Sequence, residues 1–135
     1  MKQKLQFSIL LLFINLFATA QTFDVGNLRY NIISGTNVSV QKTNTNPTGA
    51  LNIPATVVNV GVTYSVTSIS DNGFFNCPGL TSVDIPNTVT NIGINAFQFC
   101  AALTSITLPN SITSISNTLF YACSSLTSLV IPNSV

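Results

Sequence analysis

Leu103-Thr104-Ser105-Ile106-Thr107-Leu108-Pro109-Asn110-Ser111-Ile112-Thr113-Ser114-Ile115, closing on Leu119-Phe120 and Cys123, is a pattern the chain uses more than once. Ile106 and Leu108 flank Thr107, the in-and-out alternation of a strand with one buried face. Pro109 ends that strand, because it has no N–H to give a neighbouring ladder. Ile112 and Ile115 stand three apart, as in a short extended or 3₁₀-like turn. Leu119, Phe120 and Cys123 have the three-to-four spacing of a brief helical turn.

The same residue types stand one period of 23 residues earlier, at Leu80, Val83, Ile85, Pro86, Val89, Ile92, Ala96, Phe97 and Cys100. They begin again at Leu126, Leu129, Ile131, Pro132 and Val135. Phe74, Phe97 and Phe120 keep the interval, as do Cys77, Cys100 and Cys123. A fixed period of this length is the signature of stacked repeats, each too small to bury its own apolar face. One strand and one short helical or 3₁₀ segment per period is the leucine-rich repeat plan. Upstream, Leu51-Asn52-Ile53-Pro54 reads as an earlier strand of the same kind. Its coil is longer than the period, and the extra residues fall in Val57–Val66, where an added strand or hairpin is expected.

The residues before the repeats divide in two. Lys2 and Lys4, the apolar run Leu5–Phe17 and the small residues Ala18-Thr19-Ala20 have the layout of an export signal. Residues 1–20 are therefore expected to be a signal peptide. Residues 21–49 are expected to form a β cap. Thr22–Val25 and Leu28–Ile33 flank Gly26-Asn27, a hairpin signal, and Asn37–Gln41 alternates as a third strand. Residues 50–135 are the repeats: an irregular first coil over 50–79, regular coils from 80, and a last coil cut short at Val135, as in a fragment of a longer array.

Composition excludes several functions. The chain has four Lys or Arg, three Asp or Glu and no His. Beyond residue 20, Arg29 and Lys42 face Asp24, Asp71 and Asp84, so clustered positive charge for nucleic acid or anionic membrane is missing. Apolar residues alternate with Ser, Thr and Asn, and none of the runs approaches the roughly 20 residues of a spanning helix. Membrane insertion of the mature chain is not expected. The three Cys stand far apart in sequence at one repeat position. They are not spaced as zinc ligands. A column of buried thiols is the favoured reading, with a disulfide between neighbouring coils as the alternative. The commonest general bases are absent and the thiols are core positions, so no catalytic residue, metal or cofactor is expected.

The pattern Leu-x-x-Ile-x-Leu-Pro-x-x-Ile-x-x-Ile continued by Phe-x-x-Cys resembles the BspA-like leucine-rich repeats of bacterial surface proteins. Ile131-Pro132-Asn133-Ser134-Val135 and Ala96-Phe97-Gln98-Phe99-Cys100 carry the resemblance most closely. It implies an α/β repeat solenoid of short parallel strands and short helical or 3₁₀ turns, preceded by a small β cap. It also implies a secreted or cell-surface protein that adheres to other extracellular or surface proteins. The outward strand columns are the candidate partner-binding residues: Thr81, Thr104 and Thr127; Ser82, Ser105 and Ser128; Asp84, Thr107 and Val130. The alternative is a structural spacer with no ligand of its own.

Overall fold

The computed structural model describes residues 21–135, so the signal peptide expected over residues 1–20 lies outside the described part. Among the described residues nine strands appear in chain order: β1 (Thr22–Val25), β2 (Leu28–Ser34), β3 (Asn37–Lys42), β4 (Gly49–Asn52), β5 (Thr56–Asn59), β6 (Val62–Ile69), β7 (Leu80–Asp84), β8 (Asn91–Ile92) and β9 (Ser105–Thr107). They form two sheets. β4, β7 and β9 make a purely parallel ladder in which Leu51, Val83 and Ile106 lie in register. β3, β6 and β8 make a second parallel ladder, with Val38 beside Val66 and Ile69 beside Ile92.

Antiparallel strands extend the second sheet. The β1–β2 hairpin turns at Gly26 (φ 60°), and β2 pairs β3. The irregular coil inserts β5, which pairs β6 antiparallel through a Val60-Gly61 turn. That hairpin accounts for the extra residues of the coil. β3 belongs by sequence to the cap, yet it hydrogen bonds β6 in parallel, so cap and repeats share one sheet.

The third side of each coil is built of single turns of the 3₁₀ kind and not of continuous helix. No helix occurs among the described residues. The segments expected to be helical or 3₁₀ are chains of single turns closed by 3₁₀-type hydrogen bonds. Gly73 N–H donates to Ser70 O, Phe75 N–H to Asn72 O and Leu80 N–H to Cys77 O, each three residues back. Between these, alternate amides reach across to the next coil: Asn72 to Ile94 O, Phe74 to Ala96 O and Asn76 to Gln98 O, at 2.8–2.9 Å. Left-handed residues recur four apart, at Asn72 and Asn76, Asn95 and Phe99, Thr118 and Ala122. A right-handed helix cannot continue through them. The stack thus takes over amides that a helix would have kept for itself.

The interior between the two ladders and the turn side is apolar. Phe74, Phe97, Cys77, Cys100, Leu80, Leu103, Val89, Ile112 and Ala96 are all essentially inaccessible to solvent. The last coil departs from the expected strand. Residues 126–131 are not a strand, Leu126 and Leu129 are only partly buried, and Ile131 is 54% exposed where Ile85 is 4%.

Two positions test local demands of this backbone. Val60 holds a left-handed conformation (φ 47°) at a fully open turn, which is unfavourable for a β-branched residue. Val60→Asn is expected to raise the stability by about 1 kcal/mol, read from a urea titration. At Gly93 a Cβ would lie 2.4 Å from the Asp71 backbone nitrogen and 2.5 Å from its Oδ1. Gly93→Ala is expected to cost about 1–3 kcal/mol in the same titration, because backbone must move to admit the methyl.

Candidate functional site

The outward columns come from β7 and β9, whose register places Ser82 beside Ser105 and Asp84 beside Thr107. Val83 and Ile106 alternate with them and point into the core. Thr81, Asp84, Thr104, Ser105 and Thr107 are exposed and Ser82 is half-buried. The structure separates these residues by role. Thr104 Oγ1 donates to the Thr81 carbonyl at 3.0 Å, alongside the Thr104 N–H at 2.9 Å. Its hydroxyl is therefore part of the stack. Ser82, Asp84, Ser105 and Thr107 carry no such staple between coils. Thr127, Ser128 and Val130 are exposed but lie beyond the last strand, so two of the three expected rows are strand-paired.

Hydroxyl and amide staples one period apart recur elsewhere. Ser116 Oγ donates to Gly93 O at 3.2 Å and Thr90 Oγ1 to Thr67 O at 3.4 Å. Asn95 Nδ2 donates to Asn72 Oδ1 at 3.3 Å, and Thr118 Oγ1 donates to Asn95 Oδ1. The last pair continues a side-chain ladder on the turn side. Only two of its three residues are Asn.

Two aromatic rows run along the turn side. Inside, Phe74 and Phe97 stack with centroids 5.5 Å apart and ring planes 5° apart, and Phe97 and Phe120 follow at 6.1 Å and 13°. Near the surface, Phe75, Phe99 and Tyr121 meet edge to face at 5.6 and 5.7 Å. Phe99 is 41% and Tyr121 58% exposed. The outer row was hidden from the periodic reading because it zigzags between two repeat positions. Phe75 and Tyr121 hold one of them and Phe99 the next.

The thiol column is buried as expected, and all three cysteines are free. Cys100 Sγ donates to Phe74 O at 3.3 Å and Cys123 Sγ to Phe97 O at 3.1 Å. Burial pushes the Cys123 thiol up from its ordinary range. The neighbouring Cys100 thiol, and then the Lys42 ammonium, hold Cys77 below its ordinary range against the opposing effect of burial. The same Cys77 partner and burial push Cys100 up. Among the described residues no group of three or more Cys, Asp, Glu or His could hold a metal ion.

Known proteins agree with this architecture. The family model for the BspA type leucine-rich repeat region matches residues 52–135 in six copies. The chain is therefore a leucine-rich repeat solenoid protein, and it belongs to the BspA-type family. A leucine-rich repeat protein from Bacteroides ovatus is 32% identical, with a TM-score of 0.78 over 84% of this chain and 30% of that one. A leucine-rich cell surface protein from Faecalibacterium prausnitzii is 32% identical, with a TM-score of 0.71 over 81% of this chain and 30% of that one. A leucine-rich repeat protein from Bacteroides capillosus is 30% identical, with a TM-score of 0.75 over 84% of each chain. The chain spans less than a third of the length of the first two. No curated protein matches it.

Two substitutions test how the turn side is held. Phe97 touches a ring on either side, so Phe97→Ala is expected to cost about 3–5 kcal/mol in a denaturant titration. Thr118 is a β-branched residue with φ 63°. Thr118→Asn suits that conformation and can still donate to Asn95 Oδ1. It is expected to raise stability by about 1 kcal/mol.

Proposed function

We propose that this chain is a non-catalytic, protein-binding scaffold, secreted or held at a bacterial cell surface, that adheres to another extracellular or surface protein. The observation that carries the reading is a regular, in-register outer face on β7 and β9, on a fold shared with a bacterial cell surface protein. Ser82, Asp84, Ser105 and Thr107 supply hydrogen-bonding groups there, extended at its margin by Thr81, Thr104, Thr127, Ser128 and Val130. Affinity from this face alone is expected to be low, since Trp, Tyr and Arg, the usual anchors of interfaces, are missing from it. Phe99 and Tyr121 on the turn edge are the aromatic groups available to supplement it. Longer arrays would add avidity by repeating the same weak contact.

The spacer reading has an observation of its own. The Thr104 hydroxyl is committed to the Thr81 carbonyl, so part of the face serves the stack and not a partner. The test is a binding panel of immobilised extracellular matrix and bacterial surface proteins against the purified chain. The scaffold reading expects at least one saturable partner, with roughly tenfold weaker binding for Ser82→Lys/Ser105→Lys or for Tyr121→Ser. Binding unchanged by both variants would remove these faces from the interface. A panel with no partner would favour the spacer.

A further inference from the structure

The first thiol of the column has surroundings unlike those of the other two. Cys100 and Cys123 each give their proton to the carbonyl of a Phe in the preceding coil. Above Cys77 the regular turn ladder is replaced by the end of β3 and the loop 43–48, so no such carbonyl is available. Its nearest acceptors are Asn46 Oδ1 and Phe75 O, both at 3.9 Å, the outer limit for a sulfur donor. Lys42 Nζ already donates to both of these oxygens, at 2.6 Å in the case of Asn46. The amide of Lys42 is anchored by Gly73 O at 2.8 Å, which fixes where the side chain starts. The only ion pair among the described residues joins Arg29 to Asp24, so the Lys42 ammonium has no carboxylate there. A cation and a poorly bonded thiol thus share two acceptors.

Cys100 lies one coil below. Asn76 N–H donates to Gln98 O and Phe74 N–H to Ala96 O, both at 2.8 Å, so the two coils run at ladder spacing past the cysteines. Neighbouring strands are about 5 Å apart, inside the ~4.4–6.8 Å separation of Cα atoms that a disulfide accepts. Cys77 is fully buried, so a reagent must be small. The exposed loop 43–48 over it offers a route by local opening.

We propose that Cys77 and Cys100 are a peroxide-oxidisable pair in which Cys77 reacts first and Lys42 is the positioning residue that stabilises its thiolate. The Cys77 thiolate attacks one oxygen of hydrogen peroxide. An S–O bond forms as the O–O bond breaks, and hydroxide leaves with the proton released from the thiol to give water. The Cys100 sulfur then attacks the Cys77 sulfenic acid. The S–S bond forms, the S–O bond breaks, and the Cys100 proton leaves with the hydroxyl as a second water. Two thiols are oxidised by two electrons and one peroxide is reduced. Cys123 has no cation and keeps its proton on Phe97 O.

The purified, reduced chain treated with hydrogen peroxide tests this, with thiol titration in denaturant and peptide mapping as readouts. The expected result is loss of two thiols, a Cys77–Cys100 linkage and a reduced Cys123. Lys42→Met is expected to slow the reaction roughly tenfold and Lys42→Arg to restore it, with melting curves confirming that both are folded. Cys77→Ser is expected to leave both remaining thiols reduced, which keeps the test open should Lys42→Met not fold. A Cys100–Cys123 linkage, three intact thiols under conditions that oxidise glutathione, or oxidation of Cys77→Ser or folded Lys42→Met at the unsubstituted rate would overturn the proposal.

Discussion

The structure depends on a translation by one period that sets like on like. Phe lies on Phe, thiol on thiol, and the edge of each coil meets the edge of the next. The coil of residues 80–102 has two short strands, β7 and β8, and a row of turns, none of which buries its apolar side or satisfies its backbone alone. The neighbouring coil does both at once. Leu51, Val83 and Ile106 bury one another in register while their strands exchange hydrogen bonds. On the turn side, alternate amides of residues 72–76 leave their own coil for carbonyls of the next.

The same constraint limits what the surface can offer a partner. Many hydroxyls that look outward in sequence are recruited as staples, as Thr104, Ser116 and Thr90 are. Charge is confined to the early part of the chain, and no Asp, Glu, Lys or Arg follows Asp84. The later coils therefore present hydroxyls, amides and a narrow aromatic edge. Such a surface suits contact repeated along an array better than a single deep site. At the other end, the antiparallel strands meet the stack where Lys42 stands over the first thiol, so one member of the column acquires a chemistry its copies lack.

Periodicity made the stack legible. The intervals between Ile85, Leu108 and Ile131, and between the three cysteines, locate the core columns and the strands of the regular coils. Gly26-Asn27 and Val60-Gly61 mark two of the three hairpins. What the pattern hid was whatever departs from it or depends on the third dimension. The spacing of Leu119, Phe120 and Cys123 suits a helical turn equally well. Only the recurrence of left-handed backbone at residues such as Asn95 and Phe99 makes it a chain of separate turns. The Asn at 72, 76 and 95 was the available signal, since Asn tolerates that conformation, but Phe99, Thr118 and Ala122 obscure it. The strand columns were visible as exposed positions, while the diversion of the Thr104 hydroxyl was not, because it involves a carbonyl in another coil. The outer aromatic row escaped because Phe99 is one residue out of phase with Phe75 and Tyr121. The approach of Lys42 to Cys77 crosses from the cap to the repeats, where no interval connects them.

Excision of one period tests most directly whether in-register stacking holds the protein together. Deleting residues 80–102 joins Gly79 to Leu103 and removes one whole coil without changing the register of those that remain. Deleting residues 80–101 removes one residue fewer and puts every later column out of phase. The expected outcome by denaturant titration and thiol protection is a cooperative transition with protected Cys77 and Cys123 for the first deletion, and neither for the second. Equal behaviour of the two deletions would contradict the account.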